Sequence, residues 1–178
     1  MLFSPPCAKI IKNDRRRKNM KHTFSILVKN DPGVLCDVIS VLGEKGCNID
    51  SLAVGVTESD SYSRITIVSG SEYTDEMISS ISKNPNVVRA KLLAPGSFLE
   101  RSHVLIKVKA DSETRSQVLQ VSDIFRAKAV DVSKNTVTLE ITGDETKIAA
   151  LTEMLKDFGI EEIVRSGVVA VQRGEEKL

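Results

Sequence analysis

The feature that most constrains the fold is an order of predicted elements that occurs twice along the chain. From residue 22 onward, the spacing of apolar residues predicts strand, helix, strand, strand, helix and strand, and the same order begins again at residue 103. Two helices and four strands in this order stack both helices on one face of an antiparallel sheet. The sequence therefore predicts an α+β protein made of two consecutive ferredoxin-like βαββαβ units.

The first unit is predicted from residue periodicity and from turn residues. Strands are expected at 22–28, 48–56, 62–70 and 86–93. In the first strand, Phe24, Ile26 and Val28 share one face because successive side chains point to opposite sides. The first helix carries apolar residues at helical spacing and is stopped by a glycine, and the second is capped by a threonine and ended by Asn-Pro. In the first helix the apolar residues are Leu35, Val38, Ile39 and Leu42, and the glycine is Gly46. In the second helix the cap is Thr74 and the end is Asn84-Pro85.

The second unit repeats the order after residues 94–102, which interrupt the pattern. Its predicted elements are strands at 103–110 and 160–174, helices at 112–126 and 144–158, and a hairpin with its turn at Lys134 and Asn135. These patterns predict three parts: a disordered basic leader at 1–20, a first unit at 21–95 and a second at 96–178. The last strand presents Arg165 and Arg173, either toward a partner or as solvated residues of an edge strand.

Composition narrows the class of protein. The 178 residues carry 25 Lys and Arg against 24 Asp and Glu, so a net charge of +1 gives no global attraction to nucleic acid or membrane. Three cysteines, without a Cys-x-x-Cys pair, favour a reduced, cytoplasmic protein. No apolar run approaches the roughly 20 residues needed to span a bilayer. The helix-free face of the first sheet carries Leu27, Val68 and Leu93, which predicts association between copies.

The turn between the first strand and the first helix is the candidate binding site. Asn30 and Asp31 can cap the turn, Pro32 presets the backbone angle, and Gly33 leaves the helix N-terminus open. The first N–H groups of a helix have no intrahelical partners and attract anions. An Asn-Asp-Pro-Gly stretch is also ordinary helix punctuation, so both interpretations remain open at this stage.

Catalytic and nucleic-acid functions are less well supported. His22 and His103 are the two histidines, and neither has a Cys, His or carboxylate at ligand spacing. This leaves no metal site and no catalytic constellation, and a nickel-responsive regulator would need more histidines. An RNA-binding module of the same topology stacks bases on aromatic side chains, whereas this chain has no Trp, two Tyr and five Phe. The sequence therefore gives the RNA-binding alternative little support.

Longer stretches resemble a known family. HTFSILVKNDPGVLCDVISVLGEKGCNIDSLAVG, together with SRITIVSG, is similar to an ACT domain, a small amino-acid-sensing module. The stretches NIDSLAVG, SDIFRAKAVDV and VRSGVVAVQRG together resemble the small, regulatory subunit family of acetohydroxyacid synthase, also called acetolactate synthase. A stand-alone ACT-type regulator of another enzyme is the alternative.

The resemblance implies a non-catalytic chain that binds the large catalytic subunit, activates it and makes it sensitive to valine or a related branched-chain amino acid. It implies a homodimer through the ACT domains, with the effector at their interface. No cofactor is expected on this chain, and thiamine diphosphate, Mg and FAD are expected on the catalytic subunit. The family's effector site falls on residues of the turn and, from the partner copy, on the start of the second strand: Asn30, Asp31, Pro32, Gly33, Val34, Leu35, Asn48 and Ile49.

Overall fold

The computed structural model describes residues 21–70 and 74–178 and contains two four-stranded antiparallel sheets, each with two helices. The first sheet has the strand order β2-β3-β1-β4 and the second the order β6-β7-β5-β8, which confirms the two ferredoxin-like units. The strands are β1 (His22–Lys29), β2 (Ile49–Val56), β3 (Tyr62–Ser69), β4 (Val87–Leu93), β5 (Phe98–Lys109), β6 (Lys128–Val132), β7 (Thr136–Gly143) and β8 (Ile160–Gln172). The helices are α1 (Val34–Glu44), α2 (Thr74–Ile81), α3 (Arg115–Ile124) and α4 (Glu145–Leu155), and a short 3₁₀ helix (Lys156–Phe158) follows α4. The leader predicted at 1–20 lies outside the described residues.

The first core confirms the alternation predicted for β1 and corrects the face predicted for α1. Phe24, Ile26 and Val28 are buried against the helices. The buried row of α1 is Val34, Val38 and Leu42, whereas Leu35 packs at the margin of the core and Ile39 is half-buried. The row at i, i+4, i+8 faces the sheet, so the stripe is rotated from the predicted one.

The end of the first helix agrees with the sequence interpretation. Gly46 has a φ of 67°, and the N–H of Cys47 donates to the carbonyl of Leu42 at 3.0 Å, as expected of a helix stop at a glycine. Thr74 is the first described residue of α2, and the residues before it lie outside the described part of the chain, so its role as a cap stays a prediction.

The connection between the units is shorter than predicted. β5 begins at Phe98 and not at residue 103, which leaves only the turn 94–97, closed by the N–H of Ser97 donating to the carbonyl of Ala94 at 3.0 Å. The early part of β5 pairs with the end of β8, from Phe98 opposite Gln172 to Ser102 opposite Val168. We call these paired segments, 98–102 and 168–172, the ribbon. Its partners lie about seventy residues apart, so local patterns do not reveal it.

The ribbon lies on the helix-free face of the first sheet. Val68 and Leu93, predicted to need cover from another copy, are only 7% and 3% exposed within one chain. Lys91 of β4 donates from Nζ to Oε1 of Gln172 at 3.1 Å, which ties the face to the ribbon. The need to cover these apolar residues is met by the second unit of the same chain, which corrects that argument for an oligomer.

The second unit has its own core and a bulge where the ribbon begins. Val104, Ile106 and Val108 are fully buried against α3 and α4, as their alternation predicts. The register of β5 and β8 shifts between Ser102 and Val104, and Gly167 lies in this bulge with a φ of 83°. The bulge bends β8 toward β2 of the first unit.

Candidate functional site

The turn that follows β1 is held by the side chain of Asn30. Its Nδ2 donates to the carbonyl of Asp60 at 3.0 Å, and its Oδ1 accepts from the hydroxyl of Ser63 at 2.9 Å. An amide has two donors and an oxygen with two lone pairs, so one N–H and one lone pair remain for a ligand. Asp31 and Pro32 are exposed beside it. The turn is thus fixed against the β2–β3 hairpin while part of its amide faces outward.

Gly33 opens the N-terminus of α1. It occupies the N-cap position with a φ of 89°, makes no side-chain cap, and a Cβ built there would meet nothing within 4 Å. The first intrahelical bond runs from the N–H of Asp37 to the carbonyl of Gly33 at 3.1 Å, so the N–H groups of Leu35 and Cys36 precede the ladder. This end of α1 carries partial positive charge and has open space in front of it.

The remaining predicted residues divide into two groups. The side chain of Val34 is buried in the first core, so it can offer a ligand only its backbone, whereas Leu35 is half-buried at the turn. Asn48 and Ile49 lie at the start of β2, next to Ser69 and therefore beside the beginning of β1. Eight residues of β1 separate this end from the turn, which is about 26 Å at about 3.3 Å per residue. The structure brings 30–35 together but leaves Asn48 and Ile49 at the opposite end of the sheet.

The outer edge of β2 pairs with no other strand in the described chain, although the bulge of β8 contacts Ser51 and Leu52. β2 is the terminal strand of its sheet and pairs on one side only, with β3. Val54 and Val56 on this strand are 51% and 55% exposed. An apolar edge with unpaired backbone groups is a site where another strand adds.

Comparison with known proteins decides the family. A family model described as the small subunit of acetolactate synthase matches residues 101–174, and one described as the small-subunit-like ACT domain of the same enzyme matches residues 24–89. The acetolactate synthase small subunit of Mycobacterium leprae is 44% identical over 155 residues, which cover 86% of this chain and 92% of that protein.

This chain belongs to the acetolactate synthase small-subunit family.

Two other relatives agree. The probable acetolactate synthase small subunit of Archaeoglobus fulgidus is 39% identical over 160 residues, covering 89% of this chain and all of that protein. The crystal structure of the acetolactate synthase small subunit of Thermotoga maritima superimposes with a TM-score of 0.79 at 36% identity, covering 88% of this chain and 99% of that chain. The small subunit is the regulatory, non-catalytic part of the synthase, so the family predicted from the sequence is confirmed.

Other features of this small subunit bear on function. Within residues 21–70 and 74–178, no three His, Cys, Asp or Glu side chains come together as a metal site requires. None of the helices in these ranges has the length and apolar character needed to cross a bilayer.

A cavity of about 860 Å³ lies between the two units and contains none of the predicted effector residues. Its lining includes Asp50 and Arg165, which the sequence presents as an isolated acid and a strand arginine. No local pattern links the two residues, because only the packing of one unit on the other brings them to one cavity.

Proposed function

We propose that this small subunit binds the catalytic subunit of acetolactate synthase, raises its activity and makes it sensitive to inhibition by valine or a related branched-chain amino acid. Thiamine diphosphate, Mg and FAD then belong to the catalytic subunit, and this chain supplies the sensor. The family membership supports a regulatory subunit, and the geometry at the two ends of β2 supports an effector site shared by two copies.

The observation that carries the proposal concerns the two parts of the predicted site, residues 30–35 and residues 48–49. They lie at opposite ends of the edge strand β2. Val56 pairs with Ser63 at the end of the sheet where Asn30 lies, and Ile49 pairs with Ser69 at the other end. Antiparallel pairing of β2 with β2 of a second copy reverses one strand relative to the other. That pairing carries Asn48 of one copy to the Asn30 turn of the next and covers the exposed Val54 and Val56.

The chemistry of such a pocket suits a small α-amino acid. The free N–H groups of Leu35 and Cys36 take the carboxylate, because Gly33 places no side chain in front of them. The spare amide capacity of Asn30, with Asn48 of the partner copy, orders the polar end. Leu35 and Ile49, both half-buried, contact the branched side chain. One methylene is worth about 1 to 3 kcal/mol, so discrimination among valine, leucine and isoleucine is modest.

Regulation follows from two-copy binding. A ligand that touches both copies favours one arrangement of the dimer, and it inhibits only through its different affinity for the active and inhibited states. Coupling of this kind is typically about 1 to 3 kcal/mol, which changes the equilibrium between the active and inhibited states by 5- to 150-fold. We also propose that 21–95 and 96–178 are the two domains, the first sensing the effector.

Calorimetry with valine on the purified full-length chain tests the site. The expected result is saturable binding at about one site per first-unit interface, with alanine and aspartate much weaker. Gly33→Asp places a carboxylate where the carboxylate of the ligand belongs and abolishes valine binding at this turn. Gly96→Asp is the matched control, because Gly96 also has a positive φ, 81°, and open space around its Cβ position. Absence of heat with every branched-chain amino acid would refute the sensor.

A further inference from the structure

A cavity lies where the ribbon meets the first sheet, and both units form its walls. Its volume of about 860 Å³ is within the range of small-molecule sites. The first unit contributes Lys21, Asp50 and Val68, and the second contributes Phe98 and Arg165. A molecule in this cavity therefore contacts both halves of one chain, unlike an effector at the β2 edge.

The floor of the cavity is apolar. Val68 and Leu93 form part of it and are almost excluded from solvent, and Phe98 stands beside them at the start of the ribbon. The second unit covers Val68 and Leu93 almost completely, so only small parts of these two side chains line the cavity. Burial of an apolar ligand group there contributes about 25 cal/mol of binding free energy per Å² of apolar surface removed from water.

The rim carries charges that are loosely held. Lys21 and Asp50 approach at 4.0 Å, a contact at the limit of an ion pair, and Arg165 meets Glu145 through one nitrogen at 3.4 Å. Exposed pairs of this kind contribute little energy, so each partner can turn to a ligand at small cost. Glu100 also lines the cavity and has no ion-pair partner among the described residues. The rim therefore carries three carboxylates against the two cations Lys21 and Arg165. The excess of one negative charge favours a ligand with an ammonium group.

We propose that this cavity is a second ligand site, for an α-amino acid with a large apolar side chain. The ammonium group binds the carboxylate of Asp50, the carboxylate binds the ammonium of Lys21, and the side chain lies on Val68, Leu93 and Phe98. Because Lys21 Nζ and Asp50 Oδ2 are only 4.0 Å apart, the zwitterion lies alongside this pair, with each of its charges next to the opposite charge. The volume admits side chains of the size of leucine or phenylalanine.

Asp50 links this site to the first. Its Oδ1 accepts a hydrogen bond from Nδ2 of Asn48 at 3.1 Å. An ammonium group that takes the Asp50 carboxylate competes with that bond and frees the amide of Asn48. Occupancy of the cavity therefore changes the orientation of an effector residue, a consequence that rests on the proposed function.

The test measures binding of L-leucine and L-phenylalanine to the full-length chain by calorimetry and by NMR of methyl groups. The expected result is binding that survives Gly33→Asp, a substitution that blocks only the effector turn. Ligand addition should also shift the NMR signals of the Val68 and Leu93 methyl groups. Isoamylamine and 4-methylpentanoate, which each lack one charged group, bind about tenfold more weakly, the loss of one charge-assisted contact.

Two variants locate the site. Asp50→Asn weakens binding about tenfold, and Val68→Phe blocks the floor and abolishes it. Val88→Phe, on the exposed side of β4, is the matched control and leaves binding unchanged. One result that overturns the proposal is the loss of all binding in Gly33→Asp, together with unshifted Val68 and Leu93 methyl groups in the wild type. The other is wild-type binding by both Asp50→Asn and Val68→Phe. In the first case the effector turn accounts for all the binding, and the proposed function stands without the second site.

Discussion

The hydroxyl oxygen of Ser51 accepts a hydrogen bond from the backbone N–H of Val168 at 2.7 Å, which joins β2 of the first unit to the bulge of β8 in the second. Gly167 reinforces this contact, because a Cβ there would lie 2.5 Å from the carbonyl oxygen of Leu52. Asn48 and Ile49, at the start of the same strand, belong to the proposed effector site. The contact therefore connects the strand that begins with these residues to the second unit.

Gly167→Ala should loosen this junction. The variant places a Cβ against the Leu52 carbonyl and holds alanine at a φ of 83°, a left-handed conformation that costs an L-residue about 1 to 2 kcal/mol before the clash is counted. Chemical denaturation should show a loss of at least that size in the free energy of unfolding. Gly43→Ala is the control, because its Cβ meets nothing within 4 Å and alanine favours a helix by about 0.5 to 1 kcal/mol. Equal stability of the Gly167 variant and the wild type would argue against the close approach.

Ser51→Ala removes the acceptor for Val168 without adding bulk. The expected loss in the free energy of unfolding is about 1 kcal/mol, the net contribution of one intramolecular hydrogen bond. Ser40→Ala serves as the comparison, because Ser40 is at an exposed position of α1 and its hydroxyl donates to the Cys36 carbonyl of the same helix. If both serine variants unfold at the same denaturant concentration, the junction does not depend on this bond.

Local residue patterns predicted the order of elements because each strand and helix carries its own periodicity. Phe24, Ile26 and Val28 alternate as a half-buried strand must, and their burial follows from that alternation alone. The start of β5 could not be predicted in this way, because residues 98–102 become a strand by pairing with 168–172. Long-range pairing overrides the Pro-Gly and charged residues that suggest a loop.

The candidate site shows the same division. The turn at Asn30 and Gly33 follows from helix-end chemistry, and the structure finds the positive φ and open space that this chemistry requires. Asn48 entered through a family resemblance, since nothing local connects it to a turn about 26 Å away. The cavity between the units was missed because Asp50 and Phe98 approach one another only after the two units pack.

Asn30→Ala should both destabilise the turn and weaken effector binding. The variant loses the bonds to the Asp60 carbonyl and the Ser63 hydroxyl, an expected cost of about 1 to 2 kcal/mol in the free energy of unfolding. Valine affinity should fall with it, as calorimetry can measure. Asn135→Ala, in the turn between β6 and β7, should change stability by less than about 0.5 kcal/mol and leave valine binding intact. Unchanged valine affinity in Asn30→Ala would separate this residue from the site.

The carboxyl of Glu176 should titrate below its ordinary range. The hydrogen bond and the charge of Lys91, at 2.9 Å, lower its pKa, and the side chain of Gln172 adds a further bond. A lowered folded pKa means that the stabilisation is present above the unfolded carboxyl pKa of about 4.3 and is lost as pH falls through the folded value. Lys91→Met should raise the Glu176 pKa toward its ordinary value in a carboxyl NMR titration. An identical titration curve in the variant would show that this pair does not form in solution.

Acetolactate formation by the catalytic subunit tests the central claim most directly. The catalytic subunit is assayed alone, with this chain and with its Gly33→Asp variant, each over a series of valine concentrations. The account predicts that this chain raises the rate and makes it fall with valine, and that the Gly33→Asp variant still raises the rate but leaves it insensitive to valine. A rate that neither rises on addition of this chain nor responds to valine in its presence would contradict the account.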